Sequence, residues 1–489
     1  MTSTHLHRSF IAPDPLDWWR GGCEWLRCSA RLHELWAERL GGAAVRRANR
    51  EARLAALLAH ARAHSRFYAR HWRDVAPDAP LEALPPVTRS ALMAHFDDWV
   101  TDPAIRLDDV RRFVADPTRI GEAFLGRYAV WTSSGTSGVP GIYVQDEDAL
   151  AVYGALFSAQ AYLAPAADPQ SLAGGPARMA LVAATGGHFA GLVWWQRLCR
   201  MYPMLAAQAR VFSILEPLEA IREALSEWNP TSIASYPTVL VQLAAEQRAG
   251  RLRLAPRMVL AGGEVLSEAD RNAVEQAFGC PLVEDYGASE CMNIAHSCRQ
   301  HRLHLNDAWV VLEPVDEDMR PTPPGETSYT VLITNLANRV QPLVRYDLGD
   351  SVTIDPECCP CGDERPTLRV RGRADDVLEF DAQHGEFVRV LPLAIETVLE
   401  EQGGLERFQL TQTARDELTL RIESEDSRER RLAFDRAHRA LVRFLERQGA
   451  RPVRVLLDDD APQVEPASGK LRRIRAKRTA TTGRSPTRG

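Results

Sequence analysis

A chain of 489 residues is too long for one hydrophobic core, and 45% apolar with 25% charged residues is globular composition, which excludes wholesale disorder. The net charge of −6 gives no global reason to bind nucleic acid. No run approaches the ~18 uninterrupted apolar residues of a membrane span. Arg8 and Asp14 interrupt any signal-like stretch, so the cytoplasm is the expected compartment, and nine cysteines in a chain this long are no disulfide framework.

Residues 1–125 are rich in Arg, Ala, Leu and Trp at helical spacing, as in Arg53-Leu-Ala-Ala-Leu-Leu58, and predict helices that end around Leu84-Pro85-Pro86. From about Tyr128 short apolar runs ending in Gly or small polar residues alternate with amphipathic helices, the pattern of βα units. Strands are predicted at 178–185, 231–235, 257–263 and 281–285. Pro237 opens a helix that Gly250 stops, and Ser267 with Asp270 forms a capping pair. Beyond Asp375 the texture changes to an α+β module, with strands at 408–412, 418–422 and 453–457 and one helix over 427–448. The basic end (Lys470, Arg472, Arg473, Arg475, Lys477, Arg478) is expected to be a solvated terminus.

In open α/β sheets ligands bind outside the carboxyl ends of strands, and that is where the chemistry-bearing stretches fall. Thr132-Ser-Ser-Gly-Thr-Ser-Gly138 offers two glycines and five hydroxyls, a backbone able to wrap an anion, although no Gly-Lys-[Ser/Thr] follows. Asp285-Tyr-Gly-Ala-Ser-Glu290 supplies an aromatic for a base, a hydroxyl for a phosphate and a carboxylate for Mg²⁺. Arg345-Tyr-Asp-Leu-Gly-Asp350 presents a carboxylate after a Gly turn, shaped for ribose hydroxyls. Arg371-Gly-Arg-Ala-Asp-Asp-Val377 and Pro466-Ala-Ser-Gly-Lys470 complete the series. A plain loop or turn is the ordinary alternative for each alone.

Their order and spacing resemble the adenylate-forming superfamily of acyl-CoA synthetases, nonribosomal adenylation domains and luciferases, and most of all its phenylacetate-CoA ligase branch. Leu84-Pro-Pro-Val-Thr-Arg-Ser-Ala-Leu92 and Ala261-Gly-Gly-Glu264 add to the likeness, which spans roughly residues 80–475. The resemblance implies an α/β fold with a large multi-subdomain adenylating domain and a small mobile α+β lid. The expected divisions are a helical region at 1–125, a core at 126–374, the lid at 375–475 and a basic tail at 476–489. It implies that Ser133, Ser134, Gly135, Thr136, Ser137 and Gly138 clamp ATP phosphates, and that Gly262, Gly263 and Glu264 border the adenine pocket. Asp285, Tyr286 and Gly287 belong to the nucleotide site, Tyr286 stacking on adenine; Ser289 touches the α-phosphate and Glu290 binds Mg²⁺. Asp350 holds the ribose near Arg373, Asp375 is the hinge, and Lys470 brings a cation to the acid and α-phosphate. Val139 stands where many relatives carry lysine.

The implied reaction joins a carboxylic acid, aryl or arylacetic, to AMP and then to CoA. A carrier-protein thiol or an amine is the alternative acceptor, a non-catalytic relative the alternative of another class, and a homodimer the assembly allowed for. Tyr236, Pro237, His188 and Phe189 would line the acid pocket, with core packing as the other reading of the aromatics. Cys298, His304, Cys359 and Cys361 are expected to hold a closed structural Zn²⁺ site, with Cys291, Cys358 and His301 as competing ligands.

Overall fold

The computed structural model describes residues 15–133, 141–163, 177–371, 378–384, 387–390, 392–424, 426–463 and 473–476. They fall into two compact units, one carrying most of the chain up to Arg373 and one from Ala374 onward. Ser134, Gly135, Thr136, Ser137, Gly138, Val139, Arg373, Asp375 and Lys470 lie outside the described residues. Within those residues, no helix is long and apolar enough to cross a membrane.

The large unit opens with the helix Pro15–His64, interrupted at Gly42, whose φ of 72° suits glycine. Helices do not end at Leu84-Pro85-Pro86 as expected. Thr88 accepts a hydrogen bond from Ala91 N and starts a new helix, Arg89–Ala94, which fixes the position of Arg89. Strands β1 (Ala129–Thr132) and β2 (Ile142–Gln145) pair antiparallel.

The centre of the unit is one nine-stranded sheet. Its parallel half has β4 (Ala209–Ser213), β3 (Met179–Ala183), β5 (Ser232–Ser235), β6 (Met258–Gly262) and β7 (Leu282–Ala288) side by side, in that order. The helices Pro237–Arg248 and Glu268–Phe278 make two of the crossovers, the second with Ser267 accepting from Asp270 N. β4 escaped the sequence reading. β7 also runs past its expected end at Asp285, because the ladder continues into a hairpin with β8 (Cys291–Ser297). From β8 the sheet is antiparallel through β9 (Leu303–Leu305), β14 (Thr367–Arg371) and β13 (Ser351–Ile354). A three-stranded sheet of β10 (Val310–Val315), β11 (Thr330–Asn335) and β12 (Leu343–Asp347) packs into the same core.

The small unit holds a hairpin of β15 (Leu378–Asp381) and β16 (Phe387–Val390) and a four-stranded sheet. In that sheet β17 (Phe408–Ala414) and β18 (Glu417–Ile422) are central, flanked by β20 (Ile474–Ala476) and β19 (Arg454–Asp458). The helix Ser427–Arg447 buries Phe434, Ala437, Leu441 and Phe444, a stripe at helical spacing, and is capped by Asp426. The solvated-terminus expectation fails at Arg473. Its side chain is 1% exposed, paired with Glu400, donating to Glu406 O (2.6 Å) and lying over the Phe408 ring. A carboxylate, a carbonyl and an aromatic face together hold the guanidinium, and β20 continues from there as a strand.

Candidate functional site

Because β3, β5, β6 and β7 are parallel neighbours, their carboxyl ends share one edge, with Gly262, Gly263 and Glu264 at the end of β6 and Asp285, Tyr286, Gly287 and Ser289 at the end of β7. After β5, Pro237 occupies the first helical turn, and Thr238 donates both its N–H and its hydroxyl to Glu264 (3.0 and 3.1 Å). Glu264 thereby caps this helix from the loop after β6, where a carboxylate is favoured by the helix dipole. Gly263 has φ 82°, and a Cβ there would stand 3.1 Å from the Tyr236 ring, so the loop lies flat on Tyr236. The Tyr236 hydroxyl accepts from Ala184 N (3.4 Å), tying the ends of β3 and β5.

The β7–β8 hairpin carries the densest cluster. A Cβ on Gly287 would come within 1.8 Å of Met292 O, next to a register irregularity between Tyr286 and Ala288. Gly287→Ala therefore destabilises the large unit by about 3 kcal/mol, read as a shifted denaturant midpoint with unchanged slope. Asp285 accepts from Asn293 Nδ2 (3.3 Å), and burial pushes its carboxyl up to about 7 despite that bond. A Cβ on Gly262 would lie 3.3 Å from Asp285 O. Ser289 offers its carbonyl to Trp131 Nε1 (2.7 Å). The Tyr286 ring is buried, and its hydroxyl donates to Asp350 Oδ2 (3.0 Å). Asp350 reaches that position through Gly349 (φ 74°), whose N–H is held by Thr330 Oγ1 and Asp347 Oδ1.

Glu290, 3% exposed, sits in the turn of this hairpin with three donors on one oxygen. Tyr143 Oη (2.7 Å), Tyr346 Oη (2.8 Å) and Arg89 Nη2 (3.0 Å) all bond to Oε1. Burial, reinforced by Glu290 itself, raises both tyrosines well above their usual range, so both hydroxyls stay protonated and donate. Sequence reasoning assigned no role to Arg89, Tyr143 or Tyr346. Two of them lie inside stretches already singled out, Leu84–Leu92 and Arg345–Asp350. The ends of the Ser/Thr/Gly loop meet close by. Ser133 N donates to Gly141 O (2.9 Å) and Gly141 N to Ser133 Oγ (3.0 Å), and a Cβ on Gly141 would touch Tyr143.

His188 borders the start of the Ser/Thr/Gly loop, its carbonyl accepting from Thr132 N (2.8 Å). It is 2% exposed, bonded through Nε2 to Asp116 O (3.0 Å) and edge-on to Phe113. Burial lowers its pKa. Phe189 is half-buried at the N-cap of the helix Ala190–Met201.

Cys298, His304, Cys359 and Cys361 bring their ligand atoms within 4.8 Å of one another. The Cys298 Sγ–Cys359 Sγ distance is 3.7 Å and Cys361 Sγ–His304 Nε2 is 3.4 Å. A tetrahedral ion at ~2.3 Å from sulfur and ~2.0 Å from nitrogen separates its ligands by roughly 3.8 and 3.5 Å, so the donor set fits Zn²⁺. Backbone N–H groups of Gln300 and Asp363 point at Cys298 and Cys361, and Asp363 Oδ1 lies 3.9 Å from His304 Nδ1. Burial would raise the Cys298 thiol, yet its bonds with His304 and the backbone hold it at about 6. The competing ligands stay outside this group. Cys291 is buried inside β8, Cys358 is exposed, and His301, at φ 55°, faces Glu275.

The sequence matches the AMP-binding enzyme family over residues 44–328, more than half of the chain. The chain belongs to that family. Its fold is shared with 2-hydroxyisobutyryl-CoA ligase. A crystal structure of that ligase with 2-HIB-AMP and CoA in the thioesterification state gives TM-score 0.55 at 20% identity, over 89% of this chain and 90% of the other. Its postadenylation state with R3-HIB-AMP gives 0.50 at 20% identity, over 87% and 88%. Protein CapK of Staphylococcus aureus is 25% identical over 169 residues, 34% of this chain; the match spans about a third (36%) of CapK's length. As a member of that family, the chain is an AMP-binding enzyme.

Proposed function

We propose that this AMP-binding enzyme is a phenylacetate-CoA ligase-like acid–thiol ligase acting on an aryl or arylacetic acid. The carboxylate oxygen attacks the α-phosphorus of ATP and pyrophosphate leaves. The thiolate of CoA then attacks the acyl carbon and AMP leaves. The observation that carries the reading is the convergence, at one edge of the sheet, of Glu290 with its donors, the Tyr286–Asp350 pair and the neck of the Ser/Thr/Gly loop at Ser133 and Gly141.

In this reading Ser133 and the loop through Gly138 receive the β- and γ-phosphates, Ser289 the α-phosphate and Asp350 the ribose near Arg373. Gly262, Gly263 and Glu264 edge the adenine, which Tyr286 supports with its buried ring. Glu290 would hold Mg²⁺ through Oε2, and Mg²⁺ bound there offsets phosphate charge. Lys470, on the lid that turns about Asp375, adds the second positive charge. The acid lies against Tyr236, Pro237 and Phe189, with His188 in the wall behind. Cys298, His304, Cys359 and Cys361 would hold a structural Zn²⁺. The setting is the cytoplasm, with a homodimer as the assembly.

Acid-dependent ATP–pyrophosphate exchange tests the first step across aryl, arylacetic and short aliphatic acids, and mass spectrometry after adding CoA tests the second. Exchange is expected to be strongest with a flat aromatic acid, followed by thioester. Exchange without thioester hands the acyl group to a carrier thiol or an amine instead. Absence of both exchange and Mg·ATP binding overturns the proposal.

A further inference from the structure

We propose that Arg89, Tyr143 and Tyr346 are positioning residues that confine Glu290 to one-oxygen coordination and so set the site's preference for Mg²⁺ over Ca²⁺. This rests on the reading that Glu290 holds the divalent ion. All three donors land on Oε1, at 2.7–3.0 Å, and every side-chain hydrogen bond described for Glu290 uses that oxygen. The clamp is itself braced, since Arg89 Nε also donates to Tyr346 Oη (3.3 Å). The carboxylate cannot rotate without breaking buried hydrogen bonds, and a bidentate ion would have to displace donors from Oε1. Ca²⁺ readily takes both oxygens of a carboxylate at 2.3–2.6 Å in a flexible shell. Mg²⁺ demands octahedral geometry at 2.0–2.1 Å and keeps waters, so one oxygen suffices for it. A carboxylate with Oε1 saturated thus penalises the larger ion.

The test uses the full chain with α,β-methylene-ATP. Mn²⁺ binding is read by electron paramagnetic resonance, with Mg²⁺ and Ca²⁺ as competitors. The ratio of the two competition constants cancels the change in site charge caused by altering Arg89, because both ions carry the same charge. Arg89→Met, and separately the near-isosteric Tyr143→Phe/Tyr346→Phe pair, are expected to shift the ratio about tenfold toward Ca²⁺, the effect of losing hydrogen bonds to a charged acceptor. Arg89→Lys, which keeps a donor, shifts it less. Thermal melts establish that each variant is folded, and the tyrosine pair carries the test should Arg89→Met unfold. An unmoved ratio in folded variants, with Glu290→Gln weakening Mn²⁺ binding, overturns the clamp and leaves the metal assignment standing. Unchanged Mn²⁺ binding in Glu290→Gln overturns both.

Discussion

Lys470→Ala lowers acid-dependent ATP–pyrophosphate exchange by about 10²–10³-fold, the usual cost of deleting one group that stabilises charge developing in a transition state. A carboxylate approaching a phosphorus ringed by anionic oxygens gains little from general acid–base chemistry. It needs orientation and nearby cations. The loss falls on turnover, with nucleotide affinity largely kept, because the ammonium acts where new negative charge accumulates. Three residues beyond Lys470 the chain is anchored by buried Arg473 and then by β20, which pairs in parallel with β17. A substitution at 470 therefore leaves the fold of the small unit intact, and unchanged melting of the variant is part of the expectation. Full exchange activity in Lys470→Ala removes this lysine from the chemistry.

Stripping the metal from the Cys298–His304–Cys359–Cys361 cluster is expected to cost about 10 °C in melting temperature, as is Cys361→Ser. Elemental analysis should find about one zinc per wild-type chain and almost none in the variant. The size of the effect follows from what the four ligands join. Cys298 follows β8, His304 lies in β9, and Cys359 and Cys361 sit between β13 and β14, so an ion there staples the antiparallel half of the sheet. Without it, thiols and an imidazole with 0% exposure are left crowded together. A preparation that melts unchanged after complete chelation, with no zinc detected, rules the site out.

The parallel strands other than β4 were legible because each is a short apolar run closed by small residues, and the helix starts because Pro237 and Ser267 announce them. β8 was not, since its Asn293 and His296 are buried along with its apolar neighbours and no alternation survives. The extension of β7 was hidden for the same reason, as a strand end depends on a partner that sequence pattern does not reveal. The metal ligands could be chosen by spacing, while the exclusion of Cys291 and Cys358 needed burial and position. The donors around Glu290 come from 201, 147 and 56 residues away, a convergence that no local pattern encodes. Arg473 shows the converse error, where basic composition stood for solvation although a partly buried carboxylate, that of Glu400, was waiting for it.

β8 spans seven residues between Glu290 at one end and Cys298 at the other, roughly 23 Å of strand. It works as a ruler whose length both ends have to agree on. An inserted residue would rotate every side chain beyond it to the opposite face and misalign either the carboxylate or the thiol. Engineers wishing to graft a tag or a loop into this protein should leave that strand untouched and use the exposed turn at Asp316–Arg320 instead, where added length has no such counterpart to satisfy.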